Sequence, residues 1–582
     1  MLSLSHKSYL KNCKYNLFHR QFGLFLSKCK ILTKQSCRQV SHEQKQQIKK
    51  VIPFLDMINT RRDQARKSIL VQVQSTESFK ELHSYCNSLG TVNQTFHYTT
   101  GAEQMNFIII EFTRESNVTS VINNSLHLNK DQGFPVHSNF LWFKASNRKS
   151  RLKLHNCQLN KENGNKIPTS SEIREFLQTK NDISEQIEGL YNLTKLNEVA
   201  TRLRFLTTRQ IELSVAGMFP HAIAYPFGSS VNGFGKMGCD LDIVFQLTSE
   251  CLAKEDSRLV FHCKAINSYE RSVTQRHMEV MGDLLQLFLP GCTQIRKILQ
   301  ARVPIIKYYQ QFTDVECDLS MSNMSGVFMS DLLYVFGLID SRVRPLVFVV
   351  RKWAQEVGIT NNSPGRWLSN FSLTLLVLAF LQKIGTSPLV LPSINTILKQ
   401  SGTGYNSVSE NESSFIQNIA LSQYRSSNTD SLEKLLKQFF NFYSSFDFTT
   451  KAINLNEAIT ITKPEYNALY IVNPLERGLN VSKNVSQEEL EKFKYELRNA
   501  SWSLESQEKE NSNWGILDIL QTKKKVATNY FNFPKQERLM EVSKLFDEEK
   551  EKKSNYSKTS SENAINTVSY HKANSLIFNQ FL

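Results

Sequence analysis

Two aspartates one residue apart, Asp240 and Asp242, are the residues of this chain best placed to do chemistry. They open the run Asp240-Leu241-Asp242-Ile243-Val244-Phe245, which alternates and then turns wholly apolar, as a strand entering a core does. On a strand, residues i and i+2 face the same way, so both carboxylates project side by side. Two like charges held together call for a counter-charge. Hard divalent cations such as Mg²⁺, which prefer carboxylate and phosphate oxygens, supply one. A pair of such ions, about 3.5–4 Å apart, activates an attacking oxygen and stabilises a leaving one. Just upstream, Gly228-Ser229-Ser230 is a small-residue turn whose backbone N–H groups and hydroxyls suit a phosphate. A D-x-D by itself also fits a solvated strand end. The turn, the Gly-rich spacer and the apolar run after it favour a site. A third carboxylate, Asp318, lies within VECDL at 315–319, which pairs as a strand with VPIIK at 303–307 and can neighbour the first strand.

The rest of the chain has to position these groups. Its 582 residues suffice for about three or four domains. The formal charge of +16 suits a polyanionic partner such as nucleic acid, although a basic leading segment and a Lys-rich tail supply part of it. Ten cysteines occur without any C-x-x-C pair, which argues against structural zinc and for free thiols in a reducing compartment. The longest apolar run, 371–381, contains Ser372 and Thr374 and falls well short of the roughly 18–20 residues a membrane span needs.

Residues 1–42 lack Asp and Glu, carry basic residues from Lys7 to Arg38, and have the composition of a mitochondrial transit peptide addressed to the matrix; a basic arm touching RNA is the other reading. Residues 43–65 read as a helix or linker. Residues 66–146 show a βαββαβ order, the pattern of an RNA-recognition motif. Its third strand keeps Phe107 but has Ile109 where a second stacking aromatic would sit, so the sheet face reads as a protein interface rather than a base platform. Residues 147–180 read as an exposed linker. Segment 181–335 carries the three aspartates, residues 336–534 turn mainly helical, and 535–582 form a polar tail. The fold class is therefore α+β: the βαββαβ domain, a palm with a mixed sheet and helices, and a mainly helical domain.

The motifs GSS…DLD…CDLSMSN, followed by LIDSRVRPLVFVVRKWAQEVGI, GRWLSNFSLTLLVLAFLQ and LYIVNPLERGLNVSKNVS, resemble the DNA-polymerase-beta type of nucleotidyltransferase, in its terminal uridylyl and non-nuclear poly(A) polymerase branch. With the acid-free leader and the βαββαβ domain, the resemblance is to the mitochondrial poly(A) polymerases and covers roughly 66–510. It implies a nucleotidyltransferase palm, a poly(A)-polymerase-associated helical domain, and template-independent transfer of AMP from ATP to RNA 3′ ends. The cofactor it implies is Mg²⁺, with Mn²⁺ as a substitute. Carried over by residue, Asp240, Asp242 and Asp318 hold the metals, and Asp318 helps to deprotonate the RNA 3′-hydroxyl. Phe227, Gly228 and Ser229 belong to the nucleotide site, the last two holding phosphates. Asn323 and Ser330 stand where relatives contact the ribose, Phe371 where a Tyr stacks on the base, and Arg351 where a Lys pairs with the triphosphate. Gln355 stands where many relatives have a second phosphate-binding Lys, and Asn473 replaces an Asp before the Pro turn. The expected partners are ATP, mitochondrial transcripts and a second copy bound through residues 66–146. A mitochondrial oligo(U) transferase and a non-catalytic RNA-binding scaffold are the competing functions.

Overall fold

The computed structural model describes residues 52–101, 103–126, 138–146, 158–161, 164–219, 222–247, 270–321, 324–361, 365–400, 426–506 and 514–521. The expected transit peptide at 1–42, the polar tail at 535–582 and Asn323 lie outside the described residues.

The first sheet has the element order expected of residues 66–146. Strands β1 (Ser68–Val73), β2 (Val92–Thr100), β3 (Met105–Phe112) and β4 (Phe140–Trp142), with helices α2 (Phe79–Leu89) and α3 (Glu115–Asn123), follow the βαββαβ order. Helix α1 (Phe54–Arg66) precedes them, and a two-residue β5 (Asn160–Lys161) extends the sheet to the order β4-β1-β3-β2-β5. One face, with Ile69, Val71, Ile108 and Ile110, takes α2 and α3 through Phe79, Leu82, Val118 and Val121.

The other face corrects an expectation. Leu70, Phe96, Tyr98, Phe107, Ile109 and Phe140 are buried within the chain, against Phe54 and Ile58 of α1 and against Val199, Leu203 and Leu206 of α6 (Glu198–Val215). The Tyr98 hydroxyl donates to the Phe312 carbonyl at 2.6 Å, and Phe107 packs on the Phe312 ring. A buried ion pair, Arg202–Glu111 at 2.6 Å, locks α6 to β3. The face expected to be poor in aromatics carries Phe96, Tyr98, Phe107 and Phe140, and it is an interface made with the chain's own palm.

The linker expected at 147–180 contains helix α4 (Ser170–Gln178), opened by a capping box in which Thr169 and Glu172 satisfy each other's backbone N–H groups. Its Ile173 and Leu177 are buried. The periodic stretch after it divides into α5 (Ile183–Thr194) and α6, each N-capped, by Asp182 and Asn197.

The second sheet carries the aspartates. Its strands are β6 (Ala222–Phe227), β7 (Leu241–Leu247), β8 (Cys292–Ile298), β9 (Ile305–Gln310) and β10 (Val315–Met321), in the order β6-β7-β10-β9-β8. Only β7 and β10 run parallel. They sit in the middle of the sheet, and Leu241 to Phe245 is buried throughout, as a strand covered on both faces must be. Helix α7 (Glu270–Phe288) backs the sheet through Met278, Met281 and Leu285.

Beyond it lies the helical layer: α8 (Ser325–Ile339), α9 (Val343–Glu356), α10 (Asn370–Ala379), which runs into a π-turn over Phe380–Ile384, α11 (Ile394–Gln400), α12 (Leu432–Ser444), α13 (Gln487–Glu505) and α14 (Ile516–Ile519). One continuous core unites them with α4 and α5. A hairpin, β11 (Lys451–Asn454) and β12 (Ile459–Thr462), lies alongside.

Candidate active site

The register of the two parallel strands brings the carboxylates together. Asp242 of β7 stands directly opposite Asp318 of β10, one inter-strand spacing away. Asp240 lies two residues upstream, immediately before β7, and the alternation of the strand carried back by one residue puts it on the same face as Asp242. On the other side of Asp242 is its antiparallel partner Phe227, the last residue of β6, after which the chain turns through Gly228–Ser230.

That turn has to be glycine at its first position. Gly228 has φ +69, and a Cβ there would run into the Asp242 carboxylate. Its N–H donates to the Ser330 hydroxyl at 2.7 Å, and that hydroxyl donates in turn to the Gly326 carbonyl at 2.7 Å. Ser330 is 1% exposed. The residue expected at the ribose is therefore also the brace between α8 and the turn. Phe227 is buried, with its ring against Gly326. Ser229 is half-exposed at the middle of the turn. The Ser230 hydroxyl donates to the Asp240 carbonyl at 2.8 Å and accepts from the Arg204 Nε at 3.1 Å. Arg204, wholly buried on α6, also reaches the Cys239 carbonyl and Asn165 Oδ1. It ties the turn to the strand that bears the aspartates. Sequence spacing gives no signal for this Arg, because α6 precedes the site and its role depends on tertiary packing.

The electrostatics follow from the crowding. Burial first, then Asp318, raise Asp240 to about 6. Burial, then Asp318 and Asp240, hold Asp242 well above the usual carboxylate range. Burial also raises Asp318, against the pull of Lys307, whose ammonium lies 2.5 Å from Asp318 Oδ2. Among the described residues Lys307 is the one cation ion-paired within the three carboxylates, with Arg204 acting on Asp240 without such a pair. Among the described residues no group of three or more His, Cys, Asp or Glu forms a side-chain cage for a metal. Hard oxygen donors at one end of a sheet, short of positive charge and next to a turn of phosphate-binding shape, suit Mg²⁺, which is bound by one or two carboxylates together with water and substrate phosphates rather than by a cage.

Helix α9 closes another side. Arg351 donates to the Phe234 carbonyl at 2.8 Å, and Lys236 donates to Gln355 Oε1 at 3.0 Å. Both contacts join α9 to the Gly-rich loop that leads into Asp240. Phe371 stands half-buried in the first turn of α10, packed against the helical core. Asn473 is fully buried, and its Oδ1 accepts from the N–H groups of Leu475 and Glu476. It shapes the Pro turn, a task an Asn performs as well as an Asp.

Comparison with known proteins is consistent with this geometry. Residues 183–337 match a family model described as "Poly(A) RNA polymerase, mitochondrial-like, central palm domain", and residues 53–126 match one described as "RL domain". The chain is 45% identical to the mitochondrial poly(A) RNA polymerase of Drosophila melanogaster over 85% of this chain and 84% of that one. It is 35% identical to the human mitochondrial poly(A) RNA polymerase over 80% of this chain and 81% of that one. The crystal structure of mtPAP in complex with UTP superposes with a TM-score of 0.74 at 32% identity, covering 81% of this chain and all of that one. Its complex with ATPgammaS gives 0.71 at 31% identity over the same shares. A carboxylate set in register beside a glycine-serine turn, on a palm shared along most of their length with these relatives, places this chain in the family of mitochondrial poly(A) RNA polymerases.

Proposed function

We propose that the site extends RNA 3′ ends with AMP taken from ATP, without a template, and releases pyrophosphate. The observation that carries this reading is the register of Asp242 against Asp318, with Asp240 on the same face and the Gly228 turn beside them. The relatives' names point to poly(A) addition in the mitochondrion. The acid-free leader favours the matrix.

In this reading Asp240, Asp242 and Asp318 hold two Mg²⁺ ions, which Mn²⁺ replaces in kind. When bound, the ions lower the pKa of the attacking hydroxyl and neutralise charge on the phosphates. Asp318 accepts the proton of the RNA 3′-hydroxyl. Gly228 and Ser229 orient the phosphates through backbone N–H and hydroxyl donors, and Phe227 fixes the start of that turn. Arg351 carries triphosphate charge, Phe371 stacks on the base, and Ser330 and Asn323 serve the ribose side. Catalysis then rests on positioning and charge neutralisation.

RNA is the second substrate, drawn by the positive charge of the chain. The sheet face at 66–146 is occupied by the palm, so this domain serves self-association through its remaining surfaces. Among the described residues β4 is an edge strand of the sheet, and Trp142 on it, 43% exposed, is the best anchor for a second copy.

An oligo(U) transferase would use the same carboxylates, and base stacking alone does not separate purines from pyrimidines. Primer extension with each of the four nucleoside triphosphates separately, with Mg²⁺ and an RNA primer, decides between the two. A long tail with ATP alone supports the proposal, and a tail with UTP alone overturns it. A non-catalytic scaffold has no use for three clustered carboxylates, and any Asp240-dependent extension excludes it.

A further inference from the structure

Lys236 sits in the middle of the Gly-rich loop and is the one charged residue between Gly228 and Asp240. Its backbone is pinned. An isolated antiparallel bridge pairs it with Lys195, the Met237 N–H donates to the Thr194 carbonyl at 2.7 Å, and the Leu196 N–H donates to the Gly235 carbonyl at 3.2 Å. The loop is thereby stitched to the end of α5, and the half-buried Lys236 side chain runs to α9.

There it joins Arg351. Both cations hydrogen-bond neutral acceptors, Arg351 the Phe234 carbonyl and Lys236 the Gln355 amide oxygen. The neighbouring Lys352 is spent on Glu356 at 2.6 Å. Burial, then Arg351 and Lys352, push the Lys236 ammonium down, while Cys239 and Asp240 act weakly the other way. Among the described residues neither cation has an ion-pair partner, and two cations from separate elements, brought together in a partly desolvated place with neutral acceptors, call for an anion. The place adjoins the carboxylate site, because Lys236 is four residues from Asp240 along the same loop.

We propose that Lys236 is a second phosphate-binding cation beside Arg351, taking the β- or γ-phosphate of the incoming nucleoside triphosphate and then the pyrophosphate product. This rests on the nucleotidyl-transfer reading above. Gln355, which brings no charge of its own, holds the ammonium in place until the anion arrives.

The test is calorimetric binding of ATP, pyrophosphate and AMP to the full chain in Mg²⁺, for the parent and for Lys236→Gln, Lys236→Arg and Gln355→Glu. Losing a charge-assisted phosphate contact weakens binding by about ten- to a hundredfold. Lys236→Gln should therefore lose that factor for ATP and pyrophosphate and less than about twofold for AMP, while Lys236→Arg retains most of the affinity. Gln355→Glu leaves the lysine in place and occupies its charge, so it should weaken ATP and pyrophosphate binding even if Lys236→Gln does not fold. Unchanged ATP and pyrophosphate affinity in Lys236→Gln, or in Gln355→Glu where the first does not fold, overturns the proposal, as does an equal loss for AMP. A parent protein that binds neither ATP nor pyrophosphate overturns the reading of the whole site, and this inference with it.

Discussion

Asp240 is the residue on which chemistry and stability pull in opposite directions. Burial and Asp318 lift its carboxyl from 3.8 to about 6. A folded value above the unfolded one means that its contribution to stability is fully present below about pH 4 and is lost as the pH rises through about 6. In metal-free protein at pH 7 the charged side chain is therefore a liability. Asp240→Asn should raise thermal stability there by about 1–3 kcal/mol, while lowering primer extension at least about a hundredfold. Melting curves with and without divalent cations check this: the variant's advantage should shrink when Mg²⁺ is added, because the parent alone gains from binding it. A variant less stable than the parent at pH 7 without metal would contradict the assignment.

The three aspartates were legible in the sequence because strand alternation reports which way a side chain points. Residues acting across the fold were not. Arg204 lies on a helix before the site, with no spacing rule linking it to Cys239 or Ser230. Lys236, a single charge in a glycine loop, carries no spacing signal either. Its direction is set by the bridge to Lys195.

At the scale of elements, the site depends on α8 gripping the turn between β6 and the Gly-rich loop. Ser330 makes that grip, with its hydroxyl already engaged by the Gly228 N–H and the Gly326 carbonyl. Ser330→Ala should orphan the Gly228 N–H, cost about 1–2 kcal/mol in stability, and raise the KM for ATP. If the loss comes from the loosened turn, the factor is the same for ATP and for 2′-deoxy-ATP. A factor larger for ATP than for 2′-deoxy-ATP adds the ribose contact proposed for Ser330 to its bracing role. Helix α4 teaches a lesson about composition. The Asn, Lys and Ser around it read as linker, yet the T-x-x-E capping signal at Thr169 and Glu172, followed by Ile173 and Leu177, was present all along. Average polarity hid a short amphipathic face.

At the scale of the molecule, the βαββαβ sheet and the palm share one core. Periodicity gave the sheet and its apolar face, but what covers a face is decided by the rest of the fold. Phe107 is 1% exposed between β1, β2 and Phe312. Phe107→Ala should cost about 3–5 kcal/mol in stability, as expected for a core phenylalanine. It should leave RNA affinity per folded molecule unchanged, which denaturant unfolding and filter binding together would measure. Reduced RNA affinity with full stability would restore the base-stacking role that the burial argues against. The ion pair Arg202–Glu111 at the same junction is 6% and 8% exposed at its two side chains, so the βαββαβ domain is held to the palm by a partnered buried charge as well as by apolar packing.

The central claim is that Asp240, Asp242 and Asp318 work as one nucleotidyl-transfer site directed to ATP. The most direct test is extension of a labelled RNA primer by the full chain in Mg²⁺, with each nucleoside triphosphate in turn, for the parent and for Asp240→Ala. The expected result is a long tail from ATP, far less from the other three, and none from the variant. Extension that survives in Asp240→Ala, or a parent that elongates with UTP and not with ATP, would contradict it.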